Sequence, residues 1–115
     1  MNKMTVEEIK TSLQLETLSG EKGLDRIVTG GYVCDLLSDV MGNSKEGQIW
    51  ITLQTHKNVM AIASLRDLAA VILINGFKPD ADTANQSEIE SIPILGTNAS
   101  AFEIAGKLYE LINKK

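Results

Sequence analysis

Short apolar runs alternate along this chain with polar turns and with stretches whose apolar residues recur at helical spacing. Four apolar runs end in small polar residues just before a helix is predicted to begin. The turns read Val28-Thr29-Gly30-Gly31, Gln54-Thr55-His56-Lys57-Asn58, Asn75-Gly76-Phe77-Lys78-Pro79-Asp80 and Leu95-Gly96-Thr97-Asn98-Ala99-Ser100. Such alternation predicts an α/β fold with a parallel sheet. In these sheets the turns after the strands gather along one rim, where helix N-termini leave N–H groups unpaired. That rim is the expected place for a polar or anionic ligand.

The individual elements follow from local signals. Thr5-Val6-Glu7-Glu8 is a capping box opening a helix over Val6–Leu13, with Val6, Ile9 and Leu13 on one face. Residues 15–18 predict a short strand, and Ser19-Gly20-Glu21-Lys22-Gly23 a turn. A second strand over 25–28 is expected to run into Thr29-Gly30-Gly31, followed by a helix from position 33 or 35 to Met41. Residues 48–54 are the clearest strand: Ile49, Ile51 and Leu53 point one way, Trp50 and Thr52 the other. A strand apolar on both faces expects helices on both sides of its sheet. A helix over 58–68 with Asn58 as N-cap, a strand over 71–74 and a polar helix over 80–91 follow. Pro93 argues that the strand over 92–95 is short or at an edge. Ser100-Ala101-Phe102-Glu103 repeats the capping box and starts a helix to Ile112. No repeat, low-complexity tract or linker interrupts the pattern, so the 115 residues are expected to form one domain.

Composition narrows the function classes. Aromatics are only 4%, so the core must be built mainly from Leu, Ile, Val, Met and Ala. The net charge is −4 and the basic residues are scattered, clustering only at Lys114-Lys115. Nucleic-acid binding needs a concentrated basic face, so it is not expected. The apolar runs are too short to span a bilayer, and Met1-Asn2-Lys3-Met4 lacks a signal-peptide core. No membrane role is expected. One cysteine cannot form an internal disulfide, which fits a reduced cytoplasmic setting.

The stretch Gly23-Leu24-Asp25-Arg26-Ile27-Val28-Thr29-Gly30-Gly31-Tyr32 resembles the signature region of DRTGG domains. So do Asp35-Leu36-Leu37-Ser38-Asp39-Val40-Met41, the run from Trp50 to Asn58, Ile92-Pro93-Ile94-Leu95 and Ser100-Ala101-Phe102-Glu103. The family's namesake residues are interrupted here, because Ile27-Val28 separates Asp25-Arg26 from Thr29-Gly30-Gly31. The likeness spans residues 13 to 112 and is to the stand-alone form of the domain. The N-terminal domain of HPr kinase resembles the family in fold. The resemblance implies a three-layer α/β/α sandwich with a mostly parallel sheet of four to five strands. It further implies a homodimeric regulatory or sensor module with a partner enzyme, and no catalytic centre. The chain has no Gly-x-x-x-x-Gly-Lys-Ser/Thr loop, so kinase activity does not carry over.

Each candidate residue has a functional and a structural reading. Thr29, Gly30 and Gly31 either cradle an anion on backbone N–H groups or form a tight turn. Thr55, His56, Lys57 and Asn58 either contact a phosphate or sit solvated at a helix start. Thr97 and Asn98 are ligand candidates, whereas Ser100 is accounted for by its N-cap role, worth about 1 kcal/mol. Arg26 is a phosphate fork if it faces the rim, or half of an ion pair with Asp25. Cys34 reads as a small buried apolar residue, Trp50 as core, and Asp35 and Asp39 as a solvated pair on one helix face. One His and one Cys cannot complete a zinc site, so neither metal nor cofactor is expected.

Three functions compete at this level. The first is a non-catalytic sensor, homodimeric, holding a small anionic ligand such as a nucleotide or phosphometabolite at the rim. Its site would comprise Arg26, Thr29, Gly30, Gly31, Thr55, His56, Asn58, Thr97, Asn98 and Ser100. The second is a purely structural interaction module working through the alanine-rich 61–70 segment or the 102–112 helix. The third is an enzyme using His56, disfavoured because spacing names no activating partner.

Overall fold

The computed structural model describes residues 3–114. The main sheet comprises β2 (Glu16–Ser19), β4 (Gly30–Val33), β5 (Gln48–Thr52), β6 (Ala70–Leu73) and β7 (Ile94–Gly96). Their spatial order is β2-β7-β6-β5-β4. β4, β5, β6 and β7 run parallel, and β2 joins β7 antiparallel. A small ribbon pairs β1 (Met4–Thr5) with β3 (Ile27–Val28). The expected mostly parallel α/β/α sandwich is what forms.

The two apolar faces of β5 create the layers. Ile49 and Ile51 join Ile72 and Leu95 beneath α1 (Val6–Leu13) and α5 (Ala101–Ile112), which contribute Val6, Ile9, Ile104, Leu108 and Ile112. Trp50, Val71, Leu73 and Ile94 pack against α2 (Leu37–Asn43) and α3 (Asn58–Leu65) through Val40, Val59, Met60 and Ala63. The fourth helix, α4 (Ala81–Glu90), lies beside α3 and touches β2. Both capping boxes form: Thr5 with Glu8, and Ser100 with Glu103.

Several local expectations are corrected. Thr29-Gly30-Gly31 is no strand-to-helix turn, because Gly30 opens β4 and pairs with Gln48 at the start of β5. The Thr29 N–H donates to the Gly47 carbonyl, and its hydroxyl donates to that of Glu46. Those two bonds hold the segment extended. Gly31 answers a close approach instead: a Cβ there would lie 3.0 Å from Leu108 Cδ2. The helix expected from position 33 or 35 begins at Leu37, since Val33 ends β4 and Asp35 is engaged with β5. α3 ends at Leu65, before Asp67 turns left-handed (φ 52°), and its N-cap is Lys57 and not Asn58. β7 is short but interior. Pro93 stands just before it, where the missing N–H breaks no ladder bond, and its carbonyl accepts from Val71. Cys34 is only half-buried.

Candidate functional site

The parallel strands carry the following loops to their C-terminal rim, and the bonds there are specific. After β6, Asn75 and Gly76 both take left-handed backbone conformations (φ 55° and 75°). That turn lets the Gly76 N–H donate to the Thr97 carbonyl at 2.9 Å and the Asn75 N–H to the Ala99 carbonyl at 3.0 Å. A side chain at position 76 would be strained by its φ and would bring Cβ to 2.9 Å from Asn98 Oδ1. Thr97 in turn accepts the Ala99 N–H on its hydroxyl. The β6 and β7 turns are thereby locked into one unit.

Against this unit lies a polar cavity of about 200 Å³, lined by Gln14, Glu16, Gly76, Lys78, Gly96, Thr97 and Asn98. Gln14 reaches it because it ends α1 in a left-handed conformation, and Glu16 because β2 pairs with β7. Lys78 Nζ lies 3.1 Å from Glu16 Oε1, and both side chains are well exposed, at 60% and 66%. An ion pair this open contributes only about 0–1 kcal/mol, so its ammonium is cheaply redirected to another anion. The cavity thus offers a cation with its exposed carboxylate partner, two amides and backbone close to glycine.

The β5 turn forms a second sector of the same rim. The Thr55 carbonyl accepts from the Asp80 N–H at 3.1 Å and from the Thr83 hydroxyl at 2.8 Å. His56 is exposed, and its Nδ1 accepts the Asn58 N–H at 3.2 Å. Lys57 and Asn58 line a groove of about 680 Å³ between α3 and α4, together with Met60, Ser64, Asp82 and Glu90. Asp35 braces this sector from the other side. Its Oδ1 accepts from the Thr52 hydroxyl at 2.6 Å and from the Leu53 N–H at 3.0 Å, and the Gln54 amide donates to its carbonyl. Asp35 is therefore a loop anchor, not half of the solvated helical pair expected with Asp39. No local pattern announces that role, because its partners lie 17 and 18 residues away.

Not all candidates share this rim. Thr55, His56, Asn58, Thr97, Asn98 and Ser100 follow the C-terminal ends of β5 and β7. Arg26, Thr29, Gly30 and Gly31 lie at the opposite end, beside the segments that enter β5 and β6. Arg26 serves the fold there. Its Nε donates to the Ser91 carbonyl at 2.8 Å, Nη2 donates to the Glu90 carbonyl, and Nη1 pairs with Asp67 at 3.2 Å. It thus occupies carbonyls at the end of α4, where a cation complements the helix dipole. The expected Arg26–Asp25 pairing is replaced by Arg26–Asp67. Ser100 has its N-cap task, and Glu103 Oε1 accepts the Ser100 N–H. Among the described residues, no group of three or more His, Cys, Asp or Glu side chains is placed to hold a metal ion. None of the described helices is long and apolar enough to cross a membrane.

No protein-family model and no curated protein matches the chain. Among solved structures, the chain resembles the CBS and DRTGG domains of the regulatory region of Clostridium perfringens pyrophosphatase, complexed with its activator diadenosine tetraphosphate. The TM-score is 0.69 at 17% identity, over 90% of this chain and 45% of the other. The chain thus spans under half the length of that structure, and at this identity the likeness shows the fold: a DRTGG-like α/β sandwich.

Proposed function

We propose that this chain is a non-catalytic regulatory module that senses a small anionic ligand, a nucleotide or phosphometabolite, at the C-terminal rim of its sheet. The observation that carries the reading is the rim cavity of about 200 Å³, where Lys78, Gln14 and Asn98 converge beside Gly76 and Gly96. A phosphate group fits that donor set, and the Lys78 ammonium leaves Glu16 to meet it. Thr55, His56 and Asn58, along the same rim, bound the remainder of a larger ligand. The likeness to a regulatory region crystallised with a nucleotide activator supports the same class of ligand. The module acts as a homodimer and passes its bound state to a partner enzyme.

Thermal unfolding in the presence of mono-, di- and triphosphate nucleosides, diadenosine tetraphosphate and a set of phosphorylated metabolites tests this. A ligand at 100 times its Kd adds about 2.7 kcal/mol of stability. The expected result is a rise in Tm with at least one compound, abolished in Lys78→Ala and Asn98→Ala. A flat response across the panel ends the reading.

A further inference from the structure

The two edges of the main sheet are unlike each other. β2, at one edge, carries the charge of Glu16, and its register slips between Thr17 and Ser19. Natural sheets use both devices to discourage pairing with other chains. β4, at the other edge, reads Gly30-Gly31-Tyr32-Val33, with no charge and no proline, and its register with β5 is unbroken. The Cys34 N–H, just past β4, points toward β5, bonding the Ile51 carbonyl. Backbone groups in a parallel strand alternate sides, so those of Gly31 and Val33 point outward.

An apolar surface continues from this edge onto α5. Val33 is 52% exposed, Tyr109 71% and Phe102 90%. Phe102, Ala105 and Tyr109 recur at helical spacing on one side of α5, and a shallow cleft joins Ala105 and Tyr109 to Gly31 and Val33. The other side of α5 faces α1. Between the two large rings the helix offers only Ala105 and Gly106, and a Cβ at Gly106 would meet nothing within 4 Å.

We propose that a second copy of this chain docks here, across a two-fold axis perpendicular to the sheet, so that β4 pairs antiparallel with β4 of its partner. The geometry is self-complementary, as a two-fold interface requires. The axis that joins the strands leaves both α5 helices on the same face, antiparallel and side by side. Centred on Ala105 and Gly106, it sets Phe102 of one protomer level with Tyr109 of its partner. It also brings Glu103 within one residue's rise of the partner's Lys107, so the charges bordering the apolar strip are opposite. The two five-stranded sheets become one of ten strands. The proposal rests on the homodimer reading above and adds where the dimer forms.

Light scattering behind size exclusion tests it at about 50 µM. The expected wild-type mass is twice that of the chain. Phe102→Asp combined with Tyr109→Glu is expected to give the single-chain mass with an unchanged circular dichroism spectrum, since both side chains are exposed. A second measurement uses Gly106→Cys in a Cys34→Ser background. Oxidation is expected to give a covalent dimer through position 106, while Glu21→Cys in the same background does not. A double variant that stays dimeric, or a Gly106→Cys protein that fails to cross-link, overturns this interface alone. A monomeric wild type overturns the homodimer reading with it and leaves ligand sensing to the thermal assay.

Discussion

The Tyr32 hydroxyl donates to Asp39 Oδ2 at 2.5 Å, tying the edge strand β4 to the first turn of α2. The bond favours a neutral phenol and an ionised carboxylate. It pushes the Tyr32 pKa up to about 12 and holds the Asp39 pKa below the usual carboxylate value. The signs of the pH dependence follow. Asp39 stabilises the fold above the unfolded carboxylate pKa of about 4, and that contribution is lost as pH falls through its lower folded value. Tyr32 stabilises it below about pH 10, and the contribution is lost as pH rises from there toward 12. Phenolate absorbance near 295 nm is expected to show one tyrosine titrating near 12 in the wild type and lower in Asp39→Asn. In Tyr32→Phe the acid limb of the stability curve is expected to move to higher pH. A late-titrating tyrosine that survives Asp39→Asn would contradict the assignment.

Gly23 and Gly42 make an opposed pair. A Cβ at Gly23 would lie 2.0 Å from the Ser91 carbonyl oxygen and 2.8 Å from Pro93 Cδ, whereas one at Gly42 would meet nothing within 4 Å. The atoms around Gly23 are backbone and a proline ring, neither of which can swing away. Gly23→Ala is expected to cost about 3 kcal/mol or more, at the upper end of overpacking penalties. Gly42 lies near the end of α2, where alanine lowers the entropy of the unfolded chain. Gly42→Ala is expected to change stability by less than about 1 kcal/mol, in the stabilising direction. Urea midpoints at constant m-value check both.

Trp50 is fully buried, and its indole Nε1 donates to the Cys34 carbonyl at 2.7 Å. That bond crosses from β5 to the segment just after β4, so the indole both fills the α2–α3 side of the core and orients the loop carrying Asp35. Trp50→Phe removes the donor and leaves a smaller ring. The expected loss is about 2–3 kcal/mol, from an unpaired carbonyl and a partial cavity. Guanidinium unfolding followed by circular dichroism measures it, and an equal midpoint for the two proteins would show that the bond is dispensable.

How far the sequence foretold this depends on the range of the interaction concerned. α1 and α5 were legible because their capping boxes, Thr5–Glu8 and Ser100–Glu103, are closed by residues three positions apart. β5 was legible because Ile49 and Trp50 announce two covered faces. Gly30-Gly31 is ambiguous in the sequence because glycine marks turns and close approaches alike, and only the arrival of Leu108 from α5 distinguishes them. The same holds for the rim. Thr97 and Asn98 could be placed from the general behaviour of parallel sheets, and the cavity includes both. Gln14 and Glu16 could not, since they reach the cavity through the antiparallel pairing of β2 with β7. No local signal in β2 encodes that choice.

Arg26 and Lys78 separate the two ends of the sheet experimentally. Arg26 uses its three guanidinium nitrogens on Ser91, Glu90 and Asp67. A lysine keeps the charge and cannot reproduce that fork. Arg26→Lys is therefore expected to lower stability by about 1–2 kcal/mol, as hydrogen bonds to a charged group are lost. It is not expected to alter the increment in Tm produced by a rim ligand. Lys78 holds only an exposed partner, Glu16, so Lys78→Ala is expected to cost under about 1 kcal/mol in the free protein. It should remove the increment. Thermal scans of both variants with and without ligand give the four numbers required. If the increment vanishes with Arg26 and persists without Lys78, the ligand sits at the N-terminal end of the strands, beside Gly47 and Asp67. The cavity of about 190 Å³ lined there by Arg26, Glu46, Gly47 and Asp67 then takes the place of the rim.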